Sequence, residues 1–357
     1  ICRMPIEKVD IEKFLRLSEK FPILDVRSPA EFAHAHIPNA FSVPIFSDEE
    51  RKIIGTAYKK QSRQLAVNYG LDFFSERMKI IPKEVENLKG NAQLSDIQAK
   101  TFLVHCWRGG MRSEAVAWLL SLYGYKIFLL NGGYKSFRRL VLDQFEKEYT
   151  LKILGGFTGS GKTQVLKELS SRGEKVIDLE GLANHKGSAF GALGENPQPS
   201  SEMFENELGL QLWQISANTN GDGNTKIEIW LEDESAHIGT VGIPKAFWQQ
   251  MRKSRLYFLD IPFEKRLKNI LKIYGTFDKE ELVNCILKIQ KRLGGLETKN
   301  AIHFINENKL KEAFEILLKY YDKFYEQSLF KRENVNSLLH KIECGHTEKS
   351  NASFLLE

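Results

Sequence analysis

The sequence predicts two successive α/β units, each built on a doubly wound parallel sheet, followed by a helical end. Three observations predict it. Short apolar runs alternate with helix-period stretches from Pro22 to Pro262, the pattern of parallel strands joined by crossover helices. Two of those runs end in glycine loops that open helices, at residues 106–113 and 156–163. Beyond Pro262 the strand-like runs stop, and helical periodicity continues to about Leu339. With 357 residues the chain has room for two separate cores.

The first unit is assigned to residues 1–146. Pro22-Ile-Leu-Asp-Val26 reads as a strand leading into Arg27-Ser-Pro-Ala-Glu31, and His34 to Val43 as a loop returning to a short strand. The polar stretch of about 48–98 is long for a simple connection, so it is read as a helical insertion. Thr101-Phe-Leu-Val-His105 is a buried strand, and Lys126-Ile-Phe-Leu-Leu130 completes the parallel set. Between these last two strands lies Cys106-Trp-Arg-Gly-Gly-Met-Arg112-Ser113, then the helix Glu114-Ala-Val-Ala-Trp-Leu-Leu120. A cysteine at a strand end, before a tight glycine loop and a helix N-terminus, sits among converging backbone N–H donors. With Arg108 and Arg112 beside it, Cys106 is the first candidate reactive residue. His34 and His36 have no cysteine or acid at ligand spacing and are read as structural.

The second unit is assigned to residues 150–262, and it opens on the most specific motif in the chain. A strand from Leu151 runs into Gly156-Phe-Thr-Gly159-Ser160-Gly161-Lys162-Thr163, a G-x-x-x-x-G-K-T phosphate loop, with a helical continuation at Gln164. Glycines let successive N–H groups turn toward one anion, and the helix adds its positive end. Lys162 supplies charge to a terminal phosphate, and the Thr163 hydroxyl can hold magnesium. The strands Lys175–Asp178, Lys226–Leu231 and Leu256–Asp260 follow. At the end of the second of them, Asp233 within Glu232-Asp-Glu234 is placed to share that magnesium with Thr163. His185 and Lys186, in a glycine-bounded loop, are candidate contacts to a polyanion or a diphosphate. Residues 263–342 are read as a helical subdomain packing on this sheet, with a lid or an apolar ligand slot as its functional role. Residues 343–357 are read as a flexible tail.

Composition narrows the class further. Hydrophobic residues make up 42% and charged residues 27% of the chain, the balance of a globular protein, and no apolar run approaches a membrane span. Cys2, Cys106, Cys285 and Cys344 show neither paired nor metal-ligand spacing, which suits a reducing cytoplasm. The net charge of +5 is modest, but it is clustered. Arg51, Lys52, Lys59, Lys60 and Arg63 form an acid-free group beside Tyr58, with further groups at 135–139 and 245–255. Lys59, Lys60 and Arg63 are therefore candidate nucleic-acid contacts, against the commoner reading of a solvated face.

Asp25-Val-Arg-Ser-Pro-Ala-Glu-Phe32, His36-Ile-Pro-Asn-Ala40, the cysteine loop and Gly132-Gly133 together resemble a rhodanese domain. A rhodanese followed by a phosphate loop resembles the layout of the bacterial tRNA 2-selenouridine synthase family. Glu180-Gly-Leu-Ala-Asn-His185-Lys-Gly-Ser188, Phe204-Glu-Asn206 and Glu232-Asp-Glu-Ser235 are similar to that family as well. The resemblance covers about Pro22 to Leu339. It implies replacement of the sulfur of a wobble 2-thiouridine in tRNA by selenium from selenophosphate, through a thiouridine geranylated by geranyl diphosphate. It implies Cys106 as selenium carrier, the phosphate loop as diphosphate site, and tRNA and a selenophosphate-supplying enzyme as partners.

Two alternatives stay open at this level. The spacing His105-Cys-x5-Arg-Ser, a residue longer than the common sulfurtransferase loop, is also that of cysteine phosphatases, whose arginine grips phosphate bidentately. The wider loop equally suits a selenophosphate-sized anion. The other alternative is a P-loop kinase or ATPase carrying a regulatory rhodanese module.

Overall fold

The computed structural model describes residues 6–91, 100–217 and 227–356; Cys2, Lys226 and the end of the 48–98 insertion lie outside them. The chain divides into two compact units between Asp143 and Gln144.

In the first unit, β1 (Ile6–Val9), α1 (Ile11–Ser18), β2 (Ile23–Asp25), α2 (Pro29–His34) and β3 (Ala40–Ser42) lead into three helices. These are α3 (Asp48–Lys60), α4 (Arg63–Arg77) and α5 (Ile81–Asn91), in the stretch expected as a helical insertion. Ser47 and Glu50 close a capping box on α3, and Ser62 caps α4, so the insertion is punctuated by local signals. Then come β4 (Thr101–His105), α6 (Met111–Leu122), β5 (Lys126–Leu130) and α7 (Gly133–Phe145). The sheet order is β1-β5-β4-β2-β3, every pair parallel. All five residues of β4 are buried, as its unbroken apolar run demands of a central parallel strand. The carboxyl end of that strand delivers Cys106.

The second unit opens with β6 (Thr150–Gly156), α8 (Lys162–Ser171), β7 (Lys175–Val176), α9 (Leu179–Ala183), α10 (Ser201–Ala217) and β8 (Glu228–Glu232). A small antiparallel ribbon follows, β9 (His237–Ile238) and β10 (Val241–Gly242), then α11 (Lys245–Lys253) and β11 (Arg255–Asp260). The helical part comprises α12 (Phe263–Tyr274), α13 (Lys279–Leu293), α14 (Gly295–Asn306), α15 (Leu310–Phe330) and α16 (Val335–Leu338), and β12 (Leu339–Glu343) returns to the sheet. The order is β12-β11-β6-β8-β7, all parallel, with the phosphate-loop strand in the centre. A central strand ending in a loop at the carboxyl edge is where α/β sheets place their ligands.

The C-terminal residues depart from the expectation of a flexible tail. β12 pairs with β11, the Cys344 N–H donates to the Asp260 carbonyl at 3.0 Å, and Lys349–Leu355 form a 3-10 turn. Ala352 and Leu355 join the core around Leu154, Val165, Leu169 and Trp230. The apolar content of this segment is too sparse to signal an element, and its order comes from the groove it fills. Among the described residues no helix is long and apolar enough to cross a membrane.

Candidate active sites

Each unit carries one candidate site, and each follows from how its glycine loop is held. In the first, the loop after β4 is pressed against the turn before α7. A Cβ on Gly133 would lie 2.4 Å from the Cys106 carbonyl oxygen and 2.5 Å from the Gly109 nitrogen, and both glycines have positive φ. Only glycine permits that approach. The Tyr134 and Lys135 N–H groups donate to the carbonyls of Cys106 (2.8 Å) and Trp107 (3.0 Å), which fixes the loop backbone. Cys106 is almost wholly buried, and the Ser113 hydroxyl lies 3.2 Å from its Sγ and 3.1 Å from the Gly110 carbonyl oxygen. That hydroxyl has one proton. Donated to sulfur, it stabilises a thiolate; donated to Gly110, it leaves the sulfur to the helix N-terminus.

Arg112 is placed on Glu31, at 2.8 Å, and Arg51 approaches the same carboxylate at 3.6 Å. Burial works against the charge on Glu31, but Arg112 and the Ser28 N–H outweigh it and hold the carboxyl below its usual range. Arg108 is exposed at the loop rim. Beneath the loop, Asp25 and Arg27 form a buried pair, with Arg27 Nη2 also donating to the Ala35 carbonyl and the guanidinium stacked 3.9 Å from the Tyr134 ring centre. His105 Nε2 lies 3.6 Å from Asp25. Burial disfavours the charged imidazole despite that carboxylate, so His105 titrates below its ordinary range. His36 stacks on Phe32 and bonds the Phe32 carbonyl, a structural arrangement of the kind its sequence context suggests.

This buried pair carries a stability prediction. Asp25→Ala leaves Arg27 charged and unpaired in the core, which should cost about 3–5 kcal/mol in chemical denaturation. Burial raises the Asp25 pKa, but His105 and Arg27 overcome it and the net shift is downward. Its contribution is therefore complete above the ordinary aspartate pKa of about 3.9 and is lost as pH falls through the lower folded value. Asp25→Ala should flatten that acid limb. An unchanged limb would show that the pair does not set acid stability.

In the second unit, Gly156, Gly159 and Gly161 all have positive φ, the conformation a phosphate cradle requires. Gly161 caps α8, Lys162 Nζ donates to the Gly156 carbonyl at 3.0 Å, and Ser160 Oγ is buried without a partner. Thr163 Oγ1 lies 3.4 Å from Glu180 Oε2. Asp233 has other partners: Arg332 at 2.5 Å and the Tyr325 hydroxyl at 2.7 Å, while Tyr325 in turn accepts from the Gly156 N–H at 3.4 Å. The two residues expected to share magnesium thus face different groups, and the acid in contact with the Thr163 hydroxyl is Glu180. Glu180 is hydrogen-bonded to Glu234, and burial pushes both carboxyls up, with Lys162 opposing it in each case. The buried Glu232 accepts from the Leu179 N–H at 3.0 Å and is also pushed up by burial, so it acts as a strand-end strut. As oxygen donors beside a phosphate cradle, Thr163 and Glu180 fit magnesium.

The remaining sequence candidates separate by setting. Lys59, Lys60 and Arg63 are exposed. His185 is buried with Nδ1 unpartnered, and burial lowers its pKa; Lys186 is paired with Glu195 at 2.7 Å. Sequence reasoning missed a set of groups on the helical part. Arg266 pairs bidentately with Asp322 and holds the Thr158 carbonyl at 3.2 Å, Asn269 holds the Gly159 carbonyl at 2.9 Å, and Tyr325 meets Gly156. A small cavity of ≈ 20 Å³ opens beside Thr158, lined by Phe190, Ile270, Tyr274, Phe314 and Tyr321.

Comparison with known proteins covers both units. Residues 10–140 match the rhodanese-like domain model, and residues 149–343 match that of the tRNA 2-selenouridine synthase AAA domain. Along most of its length the chain is 32% identical to the tRNA 2-selenouridine synthase of Hydrogenovibrio crunogenus, covering 88% of this chain and 91% of that one. The chain belongs to the tRNA 2-selenouridine synthase family. The synthase of Marinobacter nauticus is 31% identical over 91% of this chain and 93% of its own. That of Nitrosomonas europaea is 35% identical over 71% of this chain, which spans 63% of the Nitrosomonas protein's length. The cysteine loop lies within the rhodanese-like match and the phosphate loop within the AAA-domain match.

Proposed function

We propose that this protein is a tRNA-modifying transferase that exchanges the sulfur of wobble 2-thiouridine for selenium. The observation that carries the reading is the pairing, in one chain of that family, of a buried cysteine on a rhodanese-type loop with a phosphate loop. In the first reaction the 2-thio sulfur attacks C1 of geranyl diphosphate. A C–S bond forms, the C–O bond to diphosphate breaks, pyrophosphate leaves, and the base loses its N3 proton. The loop N–H groups and Lys162 would neutralise charge on the departing diphosphate. Thr163 and Glu180 would hold a magnesium ion there, adding positive charge to the leaving group. The apolar cavity beside Thr158 supports a prenyl ligand, because it continues from the phosphate loop into α12 and α15. Its ≈ 20 Å³ accommodates about one water, so a ten-carbon chain enters only as those helices part.

In the second reaction, selenophosphate and water convert the geranylated base to 2-selenouridine, geranyl thiol and phosphate. Selenium stays at the selenide level throughout, so no S–Se bond is formed. The Cys106 thiolate would attack the phosphorus of selenophosphate, and the P–Se bond would break to leave selenide at the loop. Selenide would add to C2 and expel geranyl thiol, and water would hydrolyse the S–P bond to return the thiol and phosphate, with Ser113 and the N-terminus of α6 stabilising the thiolate. Arg112, held by Glu31, would position the donor's phosphate at the loop.

Binding of tRNA tests the substrate class. Affinity should fall steeply with added salt, as lysines and arginines displace counterions from phosphates. The triple charge reversal Lys59→Glu, Lys60→Glu, Arg63→Glu should weaken binding and reduce the salt slope by about 3, one unit per contact, without lowering the thermal midpoint. Salt-independent binding, or none to tRNA, would favour a kinase or ATPase acting on a small substrate.

A further inference from the structure

Beside the carrier cysteine stands a side chain that the chemistry above leaves unused. Trp107 follows Cys106 directly and is 37% exposed. Its backbone is fixed, since its carbonyl accepts from the Lys135 N–H at 3.0 Å. Its ring is backed by Tyr134, with centroids 5.6 Å apart and planes at 39°. Tyr134 is fully buried, packed on the Arg27 guanidinium on one side and near His105 and Phe137 on others. An indole is thus held on a rigid aromatic stack, with part of its surface open to solvent, one residue from the group-carrying sulfur. Arg108 and Lys135, both exposed, flank it.

A buried packing role would not leave more than a third of the residue open. Exposed aromatic surface between cations is the combination that binds unpaired nucleotides: the ring takes the base face and the cations take the phosphates. We infer that Trp107 is the stacking platform for an unpaired nucleobase of the RNA substrate, holding the modified uridine or its neighbour over the Cys106 loop. This deepens the tRNA reading and rests on it. Trp107 is a positioning residue: it orients the base and exchanges no proton or bond. Because C2 of the base must come to the selenium delivered at the Cys106 loop, an aromatic face on the adjacent residue fixes the approach. Stacking of this kind contributes about 1–3 kcal/mol per base, or roughly a 5- to 150-fold change in affinity.

The test uses the whole chain and an anticodon stem-loop RNA carrying 2-thiouridine. Trp107→Phe keeps a flat ring and Trp107→Leu keeps only apolar bulk. Trp107→Leu should bind at least about tenfold more weakly, Trp107→Phe within about threefold of wild type, and the salt slope should be the same in all three. RNA should also quench wild-type tryptophan emission, and Trp107→Phe should lose that quenching, a readout that stands even where Trp107→Leu folds poorly. Wild-type affinity in Trp107→Leu, or quenching preserved in Trp107→Phe, would overturn the stacking role. No binding of the RNA by the wild-type chain would instead remove the tRNA reading itself.

Discussion

Cys106→Ser should still produce S-geranyl-2-thiouridine in tRNA, at close to the wild-type rate, while 2-selenouridine falls by roughly 10³-fold or more, the scale on which loss of a covalent carrier acts. The reasoning is local. Cys106 is enclosed by β4, the glycine loop and Ser113. Serine preserves volume and hydrogen bonding in that pocket, so the loop should remain folded, and a hydroxyl is a far weaker nucleophile than a thiolate. The described cysteines elsewhere offer no substitute: Cys285 and Cys344 are buried, and burial raises both thiol pKa values, which keeps them protonated. Nucleoside mass spectrometry separates the products. Undiminished selenouridine would mean that selenophosphate attacks the geranylated base directly, and the covalent role of Cys106 would have to be abandoned.

Lys162→Ala should have the converse effect and abolish geranylation, by about 10²–10³-fold, since it removes a charge aimed at the diphosphate. The ammonium is already directed into the loop by its bond to the Gly156 carbonyl. The variant should nonetheless still convert tRNA that has been geranylated beforehand into selenouridine, because that reaction uses the cysteine loop. Normal geranylation by Lys162→Ala would show that this loop serves another ligand. A variant impaired equally with pre-geranylated tRNA would show that the phosphate loop serves both steps.

Much of this was legible in the sequence, and the reasons are specific. Both sheets announce themselves because parallel strands buried on two faces are apolar-rich runs, unbroken in Phe102–Val104 and interrupted only by the half-buried Lys152 in Leu151–Leu154. Both glycine loops are legible because the backbone positions they require admit little else, as Gly133 against the Cys106 carbonyl illustrates. Interactions between distant residues are not written in local spacing. Asp233 stands where a magnesium-binding carboxylate is expected, yet Arg332 and Tyr325, about a hundred residues downstream, take up its oxygens. Glu180 reaches Thr163 from the start of α9, and its role follows from that packing rather than from any motif. The last residues are not legible because a short edge strand and a 3-10 turn carry almost no periodic signal. Leu339–Glu343 and Ala352 find their places only on a sheet already formed.

One measurement bears most directly on the proposed function. Purified protein is incubated with 2-thiouridine-containing tRNA, geranyl diphosphate and selenophosphate, and the digested nucleosides are followed by mass spectrometry over time. The S-geranyl nucleoside should rise and then decay as 2-selenouridine accumulates, with neither product formed when geranyl diphosphate is withheld. Selenouridine formed without geranyl diphosphate, or tRNA left unchanged while a nucleoside triphosphate is hydrolysed, would contradict it.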